Sequence, residues 1–351
     1  MSVPLPQLHI GPIAIDFPVV QAALSGYTDW PARVIARRFG AGFTLSEAML
    51  DQFVVNVSKG RKGGRFLRVG DEERPTGAQL MGSAAEALVP AALKLVESGF
   101  QWIDVNFGCP VRKVLGKCRG GYLLSQPAVA LEIVARLRDA LPPEVPLTLK
   151  MRRGGDDSPE SRDRFFAIFD GALAHGVAAV TVHGRTVRQR YEGRSSWAFV
   201  GEVKRRAGSG VVLGSGDLFT ADDCLAMMAQ TGVDGVSVAR GAIGNPWIFR
   251  QARALAAGHP LPPPPSVLEQ REVIAEHFRL AESVYGPVRC VPRMRKFGIK
   301  YSRLHPQGEQ VRDAFVAACS PADWRRVLDH WYGEDLAGRY PVVNELARDK
   351  Q

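Results

Sequence analysis

Residues 101–110 read QWIDVNFGCP, a run with β-branched residues that ends at Asn106 and turns through Gly108, Cys109 and Pro110. Such a stretch predicts a strand whose chemistry sits at its C-terminal end. The pattern recurs along the chain. Candidate strands lie at 18–21, 43–46, 76–81, 101–106, 146–150, 178–182, 210–213 and 234–238, eight in all. Helical stretches fall between them, among them 84–98, 122–140, 160–175, 220–230 and 244–257. The alternation predicts an α/β fold, a (β/α)8 barrel over residues 1–257, although an open doubly wound sheet uses the same alternation. Polar or glycine-containing positions directly after the strand runs favour the barrel. Glu47, Gln79, Asn106, Lys150, His183 and the Gly214–Asp217 turn would then meet at one rim.

At 258–266 the sequence GHPLPPPPS breaks the pattern, and its prolines favour a stiff extended connection. Beyond it, 267–285 and 309–331 have helical periodicity and no further βα unit, which predicts a smaller all-helical domain over 267–345 and a tail over 346–351. Ser320, with Pro321 and Asp323 after it, is a helix start. With 46% hydrophobic and 23% charged residues, the 351-residue chain suits a soluble globular protein and excludes large-scale disorder. Its five cysteines are scattered singly with no CxxC, which argues against a disulfide framework or a metal site and for a reducing, cytoplasmic setting. The N-terminal MSVPLPQLHIGPI lacks a basic region followed by an apolar run, and no stretch reaches membrane-spanning length. A formal charge of +9 suits a polyanionic partner. Nothing implies a stable protein partner, and a monomer is expected.

A lone cysteine is ordinarily a small buried hydrophobe. The place of Cys109 after a strand, beside Gly108 and ahead of Arg112 and Lys113, points instead to an exposed reactive thiol with cations at hand. Cys118 lacks a strand end and an orienting asparagine.

The segment carrying Asp104, Asn106, Gly108, Cys109, Pro110, Gly120 and Gly121 resembles the tRNA-dihydrouridine synthase family, and the resemblance extends over barrel and helical tail. It implies FMN as cofactor, NADPH (or NADH) as transient reductant and tRNA as substrate. In that family reduced flavin delivers hydride to C6 of uracil while a cysteine protonates C5. The resemblance gives Cys109 the proton and Asn106 the positioning of base and flavin. Lys150 and Gln79 match residues at the isoalloxazine, and His183 in VTVHGRT matches a flavin-contacting histidine. Arg185 and Tyr191 are expected at the substrate, whereas Trp197 is read as packing. The Ser215, Gly216, Asp217 loop and the Ala239, Arg240, Gly241 loop are expected to hold the FMN phosphate, a usual task of late barrel loops. Departures from the family pattern are Ala23 for proline, Leu24 for methionine under the flavin, Ser215 for asparagine and Ala239 for glycine. They bear on flavin affinity and tuning more than on fold.

Arg289, Arg293, Arg295, Lys296, Lys300 and Arg303 fall in a stretch with no acidic residue, interleaved with Phe297 and Tyr301. Cations and aromatics in this mixture suit RNA phosphates and an exposed base, and an ordinary solvated surface has the same composition. Arg293, Arg295, Lys296 and Lys300 are the expected tRNA contacts, with a second patch at Lys59, Arg61, Lys62, Arg65 and Arg68. Two other functions share these features. One is a flavoprotein acting on a free pyrimidine, as dihydroorotate dehydrogenases do. The other is an RNA-binding protein with impaired catalysis.

Overall fold

The computed structural model describes residues 5, 7–57 and 63–343. Lys59, Arg61 and Lys62, and everything beyond Val343, lie outside the described residues. The chain opens with an antiparallel hairpin of β1 (Leu8–Ile10) and β2 (Ile13–Ile15). Eight parallel strands then close a barrel: β3 (Val19–Gln21), β4 (Thr44–Leu45), β6 (Thr76–Met81), β7 (Ile103–Phe107), β8 (Leu147–Arg152), β9 (Ala179–His183), β10 (Val212–Ser215) and β11 (Gly235–Val238). A short β5 (Met49–Leu50) extends the pairing of β6. Closure runs through Gln21 opposite Thr44 and Thr44 opposite Thr76, with β11 returning to β3. The open-sheet alternative is thereby excluded.

The strands are apolar because both faces are covered, by helices outside and by packed side chains within. All six residues of β6 are buried, and Trp102 packs so closely that a Cβ on Gly77 would fall 2.3 Å from its ring. The hairpin was not anticipated. Its Leu8, Ile10 and Ile15 pack with Val20, Phe43, Trp102 and Leu213 at the strand starts, closing the N-terminal mouth. The open mouth is therefore the C-terminal one.

Residues 259–266 have no regular secondary structure. The helical part comprises Val267–Tyr285, Pro287–Tyr301, Gly308–Ala317 and Pro321–Trp331. The helical stretch at 309–331 divides into two helices at the expected start, where Ser320 and Asp323 cap the second reciprocally. This bundle shares a core with the barrel. Leu24, Ala32, Ile243 and Trp247 pack with Ile274, Met294, Phe297 and Trp324, so the seam is continuous apolar contact lying beside the mouth.

Candidate active site at the barrel mouth

Alternation along the strands decides what enters the barrel. Asp104 and Asn106 share one face of β7, and Thr148, Lys150 and Arg152 share one face of β8, with Asn106 opposite Lys150 in register. Arg152 in turn lies opposite His183. Of these, Asn106, Lys150, Arg152 and His183 join Ala23, Leu24, Gln79, Cys109, Tyr191, Ser215, Gly216, Asp217, Ala239 and Arg240 around a cavity of about 280 Å³.

Its floor is a chain of hydrogen bonds. Buried Asp104 accepts from Gln79 Nε2 at 2.7 Å and from the Thr148 hydroxyl at 2.6 Å. Gln79 Oε1 accepts from Asn106 Nδ2 at 2.8 Å. The Asn106 carbonyl oxygen then accepts from the backbone N–H of Gly108 at 2.9 Å and of Cys109 at 3.0 Å. Asn106 thus fixes the turn that presents the thiol. The return is closed by Gly121, whose N–H donates to the Cys109 carbonyl at 3.0 Å, and a Cβ on Gly120 would fall 2.8 Å from Cys109 Cβ.

Cys109 is half-buried, and burial raises its thiol pKa, while the Val111 N–H and the Arg152 cation pull the other way. The thiol is therefore protonated at neutral pH. Arg112 and Lys113, expected as its cations, are exposed on the short helix Arg112–Leu115. Arg152 takes that place. It is 3% exposed, held by the carbonyls of Thr186 at 2.9 Å and Arg190 at 2.5 Å, and lies 5.4 Å from the Tyr191 ring centre. The sequence signal for it was alternation, two residues beyond Lys150. Cys118 is exposed and is not part of the cavity wall.

Burial lowers the Lys150 pKa to about 8, against the pull of Asp104. Its ammonium makes one long hydrogen bond, 3.5 Å to the Ser215 hydroxyl, which itself donates to the Ser237 carbonyl at 3.1 Å. His183 is held neutral, its pKa lowered first by burial and then by Arg152, Lys150, Arg185 and Arg240. Its Nε2 faces Arg185 Nη1 at 3.4 Å, an approach in which the guanidinium donates.

Arg185 is not on the cavity wall. It is buried and paired with Asp217 at 2.8 Å, with a further bond to the Gly193 carbonyl at 2.5 Å. Asp217 also accepts from Ser195 N–H at 2.7 Å, and the Trp197 indole donates to the Gly216 carbonyl at 3.1 Å. The loop after β9 therefore braces the loop after β10. Gly216 sits at φ +110°, where a Cβ would fall 2.3 Å from Ser195 Oγ, so only glycine fits. Gly241 lies behind the wall, its position for a Cβ 2.3 Å from the Leu218 carbonyl oxygen. Arg240 lies at the wall between the rings of Tyr191 and Phe219, each 5.1 Å away.

A half-buried, poorly solvated ammonium beside amide groups, with the Arg240 guanidinium at glycine-containing loops, fits a planar ring with an amide-like edge and an attached phosphate. The donor set thus suits a flavin mononucleotide.

The basic residues beyond the cavity divide. Arg65, Tyr285, Arg289, Pro292 and Arg293 line an open cleft of about 500 Å³ at the seam. Arg68 is exposed over Trp30. Arg295 donates to the Ala318 carbonyl at 3.0 Å inside the bundle, and the Lys300 stem packs where a Cβ on Gly244 would stand. Lys296 points into the seam, 4.5 Å from the Tyr27 ring centre. Sequence proximity grouped these side chains, but a helix surface sends them in different directions.

A family model described as dihydrouridine synthase matches residues 20–331. The chain is 34% identical over 312 residues to tRNA-dihydrouridine synthase B of Pseudomonas putida, covering 88% of this chain and 90% of that one. It is 31% identical over 341 residues to tRNA-dihydrouridine synthase B of Xanthomonas axonopodis pv. citri, covering 97% and 100%. Among solved structures, the old yellow enzyme homologue of Zymomonas mobilis is similar with a TM-score of 0.53 at 14% identity, over 74% of this chain and 94% of that one. Morphinone reductase in complex with tetrahydroNAD gives a TM-score of 0.54 at 14% identity, over 74% and 92%. At such identities the likeness concerns the barrel alone.

Proposed function

The chain belongs to the dihydrouridine synthase family, and from that premise we infer that it reduces uridines of tRNA to dihydrouridine in the barrel-mouth cavity. The observation that carries this reading is the Cys109 thiol in the same cavity as the half-buried Lys150 ammonium and the Gln79 and Asn106 amides. FMN, reduced by NADPH or NADH, supplies the hydride that C6 of uracil receives. Lys150, Gln79 and Asn106 hold the polar edge of the ring system, and Arg240 with the loops at 215–217 and 239–241 holds the phosphate. Ala23 and Leu24 give it an apolar wall.

Cys109 gives its proton to C5, so the uracil double bond gains one hydride and one proton. The thiolate left behind faces Arg152 and takes its next proton from solvent. Tyr191, aligned by Arg152 and Arg240, contacts the base. The seam cleft receives the RNA backbone, since Arg65 and Arg293 lie 5.7 and 5.1 Å from the Tyr285 ring centre and Arg289 projects nearby. A free pyrimidine would leave that cleft without a role.

The test is anaerobic single-turnover reoxidation of prereduced enzyme by undermodified tRNA. Cys109→Ala should keep FMN and its reduction by nicotinamide, yet reoxidise about 100-fold or more slowly. Cys118→Ala should match the parent. A parental rate for Cys109→Ala removes the acid assignment, and a parent that takes up no flavin removes the cofactor.

A further inference from the structure

The turn Leu24–Thr28 is closed on itself. The Leu24 carbonyl accepts from Tyr27 N–H at 2.9 Å and Thr28 N–H at 3.1 Å, and the Thr28 hydroxyl accepts from Leu24 N–H at 3.0 Å. Its inner side matters to the cavity, because Ala23, Leu24 and Ser25 are wall residues. Its outer side meets two charged groups. The Gly26 N–H donates to Glu47 Oε1, and Lys296 reaches over from the helix Pro287–Tyr301. A Cβ on Gly26, which sits at φ +82°, would fall 3.0 Å from Lys296 Nζ. The ammonium lies 4.5 Å from the Tyr27 ring centre and 5.4 Å from that of Phe297, and the two rings meet edge to face at 5.5 Å.

A half-buried lysine normally ends in water or on a carboxylate. Among the described residues Lys296 forms no ion pair, although Asp29 and Glu47 act on it at longer range. Its position is set by the face of Tyr27, where a desolvated cation is held by the ring quadrupole. The lysine is thereby partly withdrawn from solvent. The helical bundle also grips this turn through Tyr285, whose hydroxyl donates to Asp29 Oδ2 at 2.6 Å. Asp29 Oδ1 caps the helix that follows the turn.

We propose that Lys296 is a positioning residue for the flavin cavity, its ammonium on Tyr27 fixing from the helical bundle the turn that walls the cavity from the barrel. This rests on the flavin reading above. The apolar wall is only as defined as the turn that carries it, and Gly26 is the residue with most backbone freedom there. Removing the cation frees the outer side of the turn, so the wall must be ordered again when flavin binds, at a cost in affinity.

Full-length protein is stripped of flavin and titrated with FMN, following flavin fluorescence, and separately with tRNA across a salt series. Lys296→Met should weaken FMN binding about tenfold, with tRNA affinity and its salt dependence as in the parent. Lys296→Arg keeps a cation on the ring and should restore most of the loss. Tyr27→Leu should reproduce it, and the double variant should lose no more than either single change. Should Lys296→Met fail to fold, Tyr27→Leu against Lys296→Arg carries the same comparison. Parental FMN affinity in Lys296→Met, or losses that add in the double variant, would overturn the proposal. So would weaker tRNA binding with a shallower salt dependence and unchanged flavin. If the parent takes up no FMN, the flavin reading fails instead.

Discussion

Lys150 is half-buried and, among the described residues, has no ion pair in contact, and the consequence is measurable. With its pKa lowered to about 8, the free enzyme loses this charge as pH rises through that value. A ring carbonyl that accepts from the ammonium favours its charged form, so binding above about pH 8 must take up a proton. FMN affinity should therefore be flat below pH 7 and fall by up to tenfold per pH unit above about 8. Lys150→Met should bind more weakly at pH 7 and lose that fall, which a pH series of flavin titrations will show; a parent curve flat to pH 10 contradicts it. Asn106, Lys150 and His183 were legible because a polar residue ending an apolar run has few structural reasons to be there, and Gln79 because it interrupts such a run. Arg152 was not, because the run reads as ending at Lys150, whereas the strand continues to Arg152 and alternation puts both side chains on one face. Arg112 and Lys113 misled for the opposite reason. They are neighbours of Cys109 along the chain, but the short helix after the turn carries them outward.

At the scale of elements, all eight barrel strands were readable from β-branched runs, while the hairpin and the helix Pro287–Tyr301 were not named. The hairpin strands have three residues each, too few for alternation to register. In the helix, charges at 289, 293, 295, 296 and 300 mask the period, yet Val291, Met294, Phe297 and Tyr301 follow it and are buried. The preceding helix Val267–Tyr285 ties to the barrel through Glu276, which accepts from Arg38 at 2.7 Å and from Arg279. Those hydrogen bonds hold its pKa at about 2, well under the ordinary carboxylate value. A carboxylate depressed in the folded state adds stability that is complete above its unfolded pKa, roughly 4.3, and is lost as pH falls toward 2. The pair is partly exposed, so the gain is modest. Glu276→Gln should lower Tm by about 2 °C at pH 7, with the gap to the parent closing between about pH 5 and 2. A gap that persists at pH 2 would mean that packing, and not charge, is responsible.

Across the whole molecule, barrel and bundle each give only part of the basic cleft proposed to receive RNA, and the complete cleft exists because they pack as one. Arg65 comes from the barrel side, Arg289 and Arg293 from the bundle, and none forms an ion pair among the described residues. Glu47 and Asp29 lie near Arg65 and Arg293 without pairing with them, so much of the mutual repulsion of the three cations remains, and it is relieved when phosphates enter. Tyr285 keeps the arrangement rigid, its ring flanked by the Arg65 and Arg293 guanidiniums and its hydroxyl bonded to Asp29. Replacing Arg65, Arg289 and Arg293 together by glutamine removes three cationic contacts while leaving polar side chains of similar reach. If each meets a phosphate, the slope of log affinity against log salt should become shallower by about 2 to 3. Affinity for tRNA should fall roughly 10- to 100-fold at low salt, and the difference should shrink as salt rises. FMN reduction by nicotinamide should hardly change, since none of the three lines the barrel cavity. Equilibrium binding of tRNA to parent and triple variant over a salt series decides the matter. An unchanged slope would take the cleft out of the interface and send the RNA backbone across another face.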